Sequence, residues 1–224
     1  MAANPASSHA AGVAGLVLAG GQGLRMGGRD KGLIDFRGKP LAAQVVERLA
    51  PQVERVILSA NRNAERYAAF CPEVVDDAFA HAVSTDAASA DHASKDDRHG
   101  GRYDGPLAGL LAGMEAARRH GLPLLAAAPC DMPFLPPDLV ARLRQALEGG
   151  NDKGAVDLAY ASAGDRTQPL VCLLRTALAD HLRAWMADGG RKVMDWQRSL
   201  NAVEVAFADA GAFRNCNTPE DLEG

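Results

Sequence analysis

The stretch LVLAGGQGLRMGGRDKGL, residues 16–33, sets a run of glycines and the cations Arg25 and Lys31 directly after a short apolar segment. Glycine lets the backbone approach a ligand closely and turn its N–H groups toward anionic oxygens. Arg25 can fork onto a phosphate, and Lys31 supplies a compact charge. Two common phosphate-binding patterns fail here. A dinucleotide fingerprint begun at Gly21 reaches Gly23 and then Met26, where its third glycine belongs. Gly23 and Gly28 have Walker separation, but Arg29 and Asp30 follow in place of Lys and Ser/Thr. A long glycine-rich cradle of another kind remains, weighed against a plain turn with solvated charges.

Carboxylates at the ends of other apolar segments support the cradle. Asp131, in APCDMP, directly follows such a segment. A lone carboxylate there suits Mg²⁺, which keeps waters and takes one or two carboxylates together with substrate phosphates. The plainer alternative is a loop-capping Asx turn. Asp76 and Asp77 end EVVDD; one can accept hydrogen bonds from a base while the other is exposed. Asn61 both donates and accepts, so it too is a ligand candidate.

These groups need a scaffold. VAGLVLA, RVILSAN, EVVDD and PLLAAAPCDMP read as buried strands, and each is followed by a helical pattern. The helices are PLAAQVVERLA from Pro40, AERYAAF, PLAGLLAGMEAARRHG between Pro106 and Gly121, and PPDLVARLRQALEGG. Four strand–helix units in succession predict an α/β fold of three layers, a mostly parallel sheet with helices on both faces. In such sheets ligands bind at the carboxyl ends of the strands, where Lys31, Asn61, Asp77 and Asp131 would meet. DLAYAS and TQPLVCLLR are expected to pair, followed by a helix over 176–190 and a strand AVEVAFAD. NTPEDL reads as a final helix, with Thr218 as its cap.

The expected organisation is one domain over residues 13–224, with a disordered stretch at 1–12 and a mobile insert at 78–104. The insert holds His81, His92 and His99 beside aspartates, at spacings that fit no metal pattern, so it reads as a solvated loop. A net charge of −4 argues against a general nucleic-acid binder. Cys71, Cys130, Cys172 and Cys216 are far apart, which points to reduced thiols and a cytoplasmic protein. No Lys or Arg precedes Arg25, the wrong order for an export signal. No apolar run has the length to span a bilayer.

The loop LAGGQGLRMGGRDKGL resembles the signature of nucleotidyltransferases of glycosyltransferase-A-like, Rossmann-like fold. Its Met-Gly-Gly-x-Asp-Lys-Gly form is similar to that of the molybdenum cofactor guanylyltransferases. GPLAGLLAGM, PCDMPFLPPDL, TQPLVCLL, GGRKVMDW and FRNCNTPEDL extend the resemblance, in order, from Gly15 to Leu222. The 78–104 insert departs from it. The resemblance implies transfer of GMP from GTP to the phosphate of molybdopterin, with Mg²⁺, by a monomer that hands its product to molybdoenzyme maturation proteins. Carried over by position, the Leu18-Ala19-Gly20 backbone and Asp77 would recognise guanine, and Gly21 and Asn61 would contact the nucleotide. Lys31 and Arg25 would hold the phosphates and Asp131 the metal. Gln168, Arg191, Lys192, Asn215 and Asn217 would face the acceptor, although Arg191 and Lys192 also read as a helix end and Asn217 as a cap. Two alternatives stay open: a molybdopterin cytidylyltransferase or another nucleotidyltransferase of this fold, and a non-catalytic GTP-binding accessory protein.

Overall fold

In the computed structural model, residues 11–20, 30–76 and 105–216 are described. The fold is built around β1 (Val13–Leu18), whose six residues are all buried. An apolar strand with no polar face can be satisfied only in the middle of a sheet covered on both sides. It pairs in parallel with β4 (Arg55–Ser59) on one flank and β6 (Leu124–Pro129) on the other. Two-residue β5 (Val74–Val75) lies beyond β4. On the far side stand β8 (Arg166–Arg175), β7 (Leu158–Ala163) and β9 (Ala202–Phe207), giving the order β5-β4-β1-β6-β8-β7-β9. Of these strands β8 alone runs against the rest, so the sheet is mostly parallel, as expected.

Among the described residues six helices cover it: α1 (Leu41–Leu49), α2 (Ala64–Ala68), α3 (Pro106–Arg119), α4 (Leu139–Gly149), α5 (Ala179–Ala187) and α6 (Val193–Arg198). In α1, Leu41, Ala42, Val45 and Leu49 turn inward while Glu47 and Arg48 face out, a helical stripe. Alternation along β1 decides which layer each residue serves. Val13 and Val17 pack with Leu49, Tyr67 and Leu143 from α1, α2 and α4. Ala14, Leu16 and Leu18 pack with Leu110, Met114, Leu182 and Trp196 from α3, α5 and α6. The three layers inferred from the sequence are these.

Some expectations shift. The third strand keeps only Val74 and Val75 of EVVDD. The helix expected over 176–190 is a 3-10 turn at Thr176–Leu178 and then α5, and α6 after it was not foreseen. A small hairpin also escapes the sequence reading: β2 (Asp35–Phe36) pairs antiparallel with β3 (Lys39–Pro40). Its turn puts both Arg37 and Gly38 at positive φ, 55° and 82°, the geometry that suits the twist of a two-residue hairpin. Phe36 packs there with Leu41, Cys216 and Phe134. Of the 1–12 stretch, Gly12 is tied in, its N–H donating to Glu54 and its carbonyl accepting from Leu124. Residues 1–10, the 78–104 insert and the NTPEDL helix lie outside the described residues. No helix among the described residues is long and apolar enough to cross a membrane.

Candidate active site

The carboxyl ends of β1, β4, β5 and β6 are stitched together by backbone hydrogen bonds that continue the sheet past its strands. Ala19 N–H donates to Ser59 (2.8 Å), Ala60 N–H to Val75 (3.0 Å) and Cys130 N–H to Leu18 (3.0 Å). Leu18 and Ala19 are each 8% exposed, so what they offer at this edge is backbone. Asn61 and Asp76 follow β4 and β5 and are exposed. Asp131 follows β6 by two residues and is 8% exposed.

Lys31 opens a 3-10 turn, Lys31–Leu33, and its Nζ donates to Asp131 Oδ2, closing an ion pair between groups 100 positions apart. Asp131 Oδ1 is buried and has no hydrogen-bond partner among the described residues. Native structures rarely leave a buried carboxylate oxygen unmet, because its desolvation is costly. An open, buried, anionic oxygen beside a lysine is the donor a hard divalent cation takes, and its setting fits the single-carboxylate site inferred above. Among the described residues no group of three or more His, Cys, Asp or Glu side chains is placed to hold a metal ion. The Asp131 carbonyl also accepts from Cys216 N–H (2.9 Å), bringing the segment after β9 to the same place.

That segment, with β8, also borders a cleft. Gln168 and Asn215 line this cleft of about 1020 Å³ together with Arg166, Thr167, Phe213 and Arg214. Gln168 is brought there by an irregularity in the β7–β8 ladder, where the register slips between Tyr160 and Ala161. Arg166 and Arg214, with Asp165 in the same lining, are charged groups that sequence reasoning missed; none lies in a spacing pattern, and only the approach of β8 to the final segment unites them.

The structure does not bring Arg191 or Lys192 into the cleft lining. Arg191 Nη1 donates to the carbonyls of Met186 (2.7 Å) and Gly190 (2.8 Å), satisfying the carboxyl end of α5. Lys192 is exposed and precedes α6. Gly21, Arg25, Asp77 and Asn217 lie outside the described residues.

Asp30 is a further group, part of the Met-Gly-Gly-x-Asp-Lys-Gly stretch, to which the sequence alone assigns no role. Its carboxylate is 7% exposed and bonded on both oxygens to residues of the β4–α2 segment. The thiols supply no nucleophile. All four cysteines are free and buried. Burial pushes the Cys130 thiol up, and the Asp131 charge beside it pushes the same way, so Cys130 stays protonated.

The Lys31–Asp131 pair thus lies at the carboxyl edge of the sheet where strand order switches about β1, and β8 and the final described segment form a cleft whose lining holds Arg166, Arg214 and Asp165. A family model described as MobA-like NTP transferase domain matches residues 15–203. A molybdenum cofactor guanylyltransferase of Burkholderia ambifaria is 45% identical, covering 99% of this chain and 97% of that one. Another from Cupriavidus taiwanensis is 41% identical, with 94% of each covered. Among solved structures, molybdopterin-guanine dinucleotide biosynthesis protein A of Archaeoglobus fulgidus is 25% identical with a TM-score of 0.66, covering 94% of this chain and 95% of that one. The chain therefore belongs to the MobA-like NTP transferases, in the family of the molybdenum cofactor guanylyltransferases.

Proposed function

We propose that this nucleotidyltransferase moves GMP from GTP to the terminal phosphate of molybdopterin. An acceptor phosphate oxygen attacks the α-phosphorus of GTP, the bond from that phosphorus to the oxygen bridging to the β-phosphorus breaks, and pyrophosphate leaves. The nucleophile is already an anion, so no general base is needed; alignment and neutralisation of charge carry the reaction. The observation that carries this reading is the Lys31–Asp131 pair with its open, buried Oδ1. Asp131 would hold Mg²⁺, which when bound neutralises phosphate charge. Lys31, with Arg25, holds the phosphates of GTP. The backbone of Leu18, Ala19, Gly20 and Gly21, with Asn61 and Asp77, receives the nucleoside. Gln168 and Asn215, with Arg166 and Arg214 beside them, face the acceptor.

The reading takes residues 13–224 as one domain, supported by the single large sheet. It places the enzyme in the cytoplasm as a monomer that passes its product to maturation proteins, and the free cysteines agree with a reducing compartment. The test is pyrophosphate release from GTP and molybdopterin with Mg²⁺, run against CTP. Asp131→Asn should abolish turnover while the melting temperature stays close to wild type. Near-normal activity in that variant, or a strong preference for CTP, would overturn the assignment.

A further inference from the structure

Asp30 has a buried carboxylate that the proposed chemistry does not use. Tyr67 Oη donates to its Oδ1 at 2.5 Å, Asn63 Nδ2 donates to its Oδ2 at 2.8 Å, and Arg62 Nε stands 3.7 Å from that same oxygen. The partners come from α2 and the loop before it, more than thirty positions along the chain. Burial, and then the hydrogen bond to Asp30, push the Tyr67 hydroxyl well above its ordinary range, so it remains a donor.

This arrangement is not a helix cap. Asp30 stands at the N-cap of the Lys31–Leu33 turn, yet its side chain makes no capping bond there. Only its carbonyl serves the turn, accepting from Leu33 N–H at 3.1 Å. Asn63 adopts a left-handed conformation, φ 57°, in the same loop that carries the amide toward Asp30. Gly32 leaves room for the ring: a Cβ there would stand 2.5 Å from the Tyr67 hydroxyl oxygen. Asp30, Gly32, Asn63 and Tyr67 therefore converge on one local geometry, the path of the backbone on either side of Lys31.

Lysine needs such support more than arginine does. Its ammonium sits on a flexible four-carbon stem and loses much rotamer freedom when fixed. Only if the backbone beneath it is held does the reach to Asp131 cost little. We infer that Asp30 is a positioning residue for Lys31, clamped by Tyr67 and Asn63 so that the phosphate-binding ammonium and the loop carrying Asn61 move as one piece. This rests on Lys31 acting on the triphosphate.

The test is a double-mutant cycle on the full chain, with GTP, molybdopterin and Mg²⁺, reading kcat and KM together with the melting temperature. Asp30→Asn should lower kcat about 10-fold or more, and Tyr67→Phe about 3- to 10-fold, with KM for molybdopterin little changed. In a Lys31→Ala background each should cost less than about twofold, because the group they position is gone. Lysine labelled with ¹⁵N adds a readout besides activity. The ammonium signal that Lys31→Ala removes should shift or broaden in Tyr67→Phe. Losses that multiply fully on Lys31→Ala, or a lower melting temperature with kcat and the ammonium signal unchanged, would overturn the inference. A wild-type protein that releases no pyrophosphate but keeps the Lys31 signal and its response to Tyr67→Phe would instead count against the proposed reaction.

Discussion

A Cβ added at Gly32 would lie 2.5 Å from the Tyr67 hydroxyl oxygen and 3.1 and 3.2 Å from two ring carbons. Tyr67 is fully buried and cannot swing away. Overpacking of this kind costs about 1–3 kcal/mol, and here it also pushes on the Asp30 hydrogen bond. Gly32→Ala is expected to be destabilised by about 2 kcal/mol in urea unfolding. The nearest contact is with an oxygen, so removing it should help: Gly32→Ala/Tyr67→Phe should be more stable than Gly32→Ala alone. A double variant weaker than the single one would show that losing the Tyr67–Asp30 hydrogen bond outweighs the relief of the contact.

At the scale of elements, one buried side chain joins the end of α1 to the start of α4. Gln52 Nε2 donates to the carbonyls of Arg48 and Pro136, both at 2.9 Å, and its Oε1 accepts from Val140 N–H at 3.0 Å. Val140 is in the first turn of α4, whose N–H groups have no partner inside the helix. Gln52→Ala strands that buried donor and takes one donor from the Arg48 and Pro136 carbonyls, of which Pro136 keeps Leu139 N–H. The expected loss is about 1–3 kcal/mol, read from the urea midpoint, the cost of one unmet buried group. Gln52 does not touch the Lys31–Asp131 pair, so kcat well below the melting point should change less than about twofold. A larger fall in kcat would mean that α4 holds the site more directly than its contacts indicate.

The molecule as a whole carries a pH limit on its alkaline side. Cys172 lies on β8, fully buried in the middle of the sheet, and burial pushes its thiol from 9.0 up to about 12. In the unfolded chain the thiol ionises first, near 9; the folded state resists until about 12. Stability from this group is therefore complete below about pH 9 and is lost as pH rises toward 12. Cys130, also raised by burial, adds in the same direction. Cys172→Ala should be less stable near neutrality, because it leaves a cavity, yet should lose less on going from about pH 7 to about pH 10.5. Urea midpoints in reductant check this, and an equal fall in both proteins would remove Cys172 as a cause.

Much of this protein was legible in its residues alone. Apolar runs with no polar face, VAGLVL and LLAAAP among them, required strands buried on both sides, and the helical stripes between them required crossovers. Strand ends in a parallel sheet share one edge, so Lys31 and Asp131 were expected to meet despite their separation, and they do. Tertiary structure decided what depends on pairings between distant segments. β8 sits between β6 and β7 because strand order is chosen by packing, not by succession. Arg166 and Arg214 share a cleft with Gln168 and Asn215 for that reason, while Arg191 turns back on α5 to satisfy carbonyls no sequence pattern marks. The sharpest case is Asp30. Its residue type and position were plain, but its partners lie in α2 and the loop before it, and no local period links them. Periodicity reports which face a residue occupies; only the folded chain shows what waits opposite it.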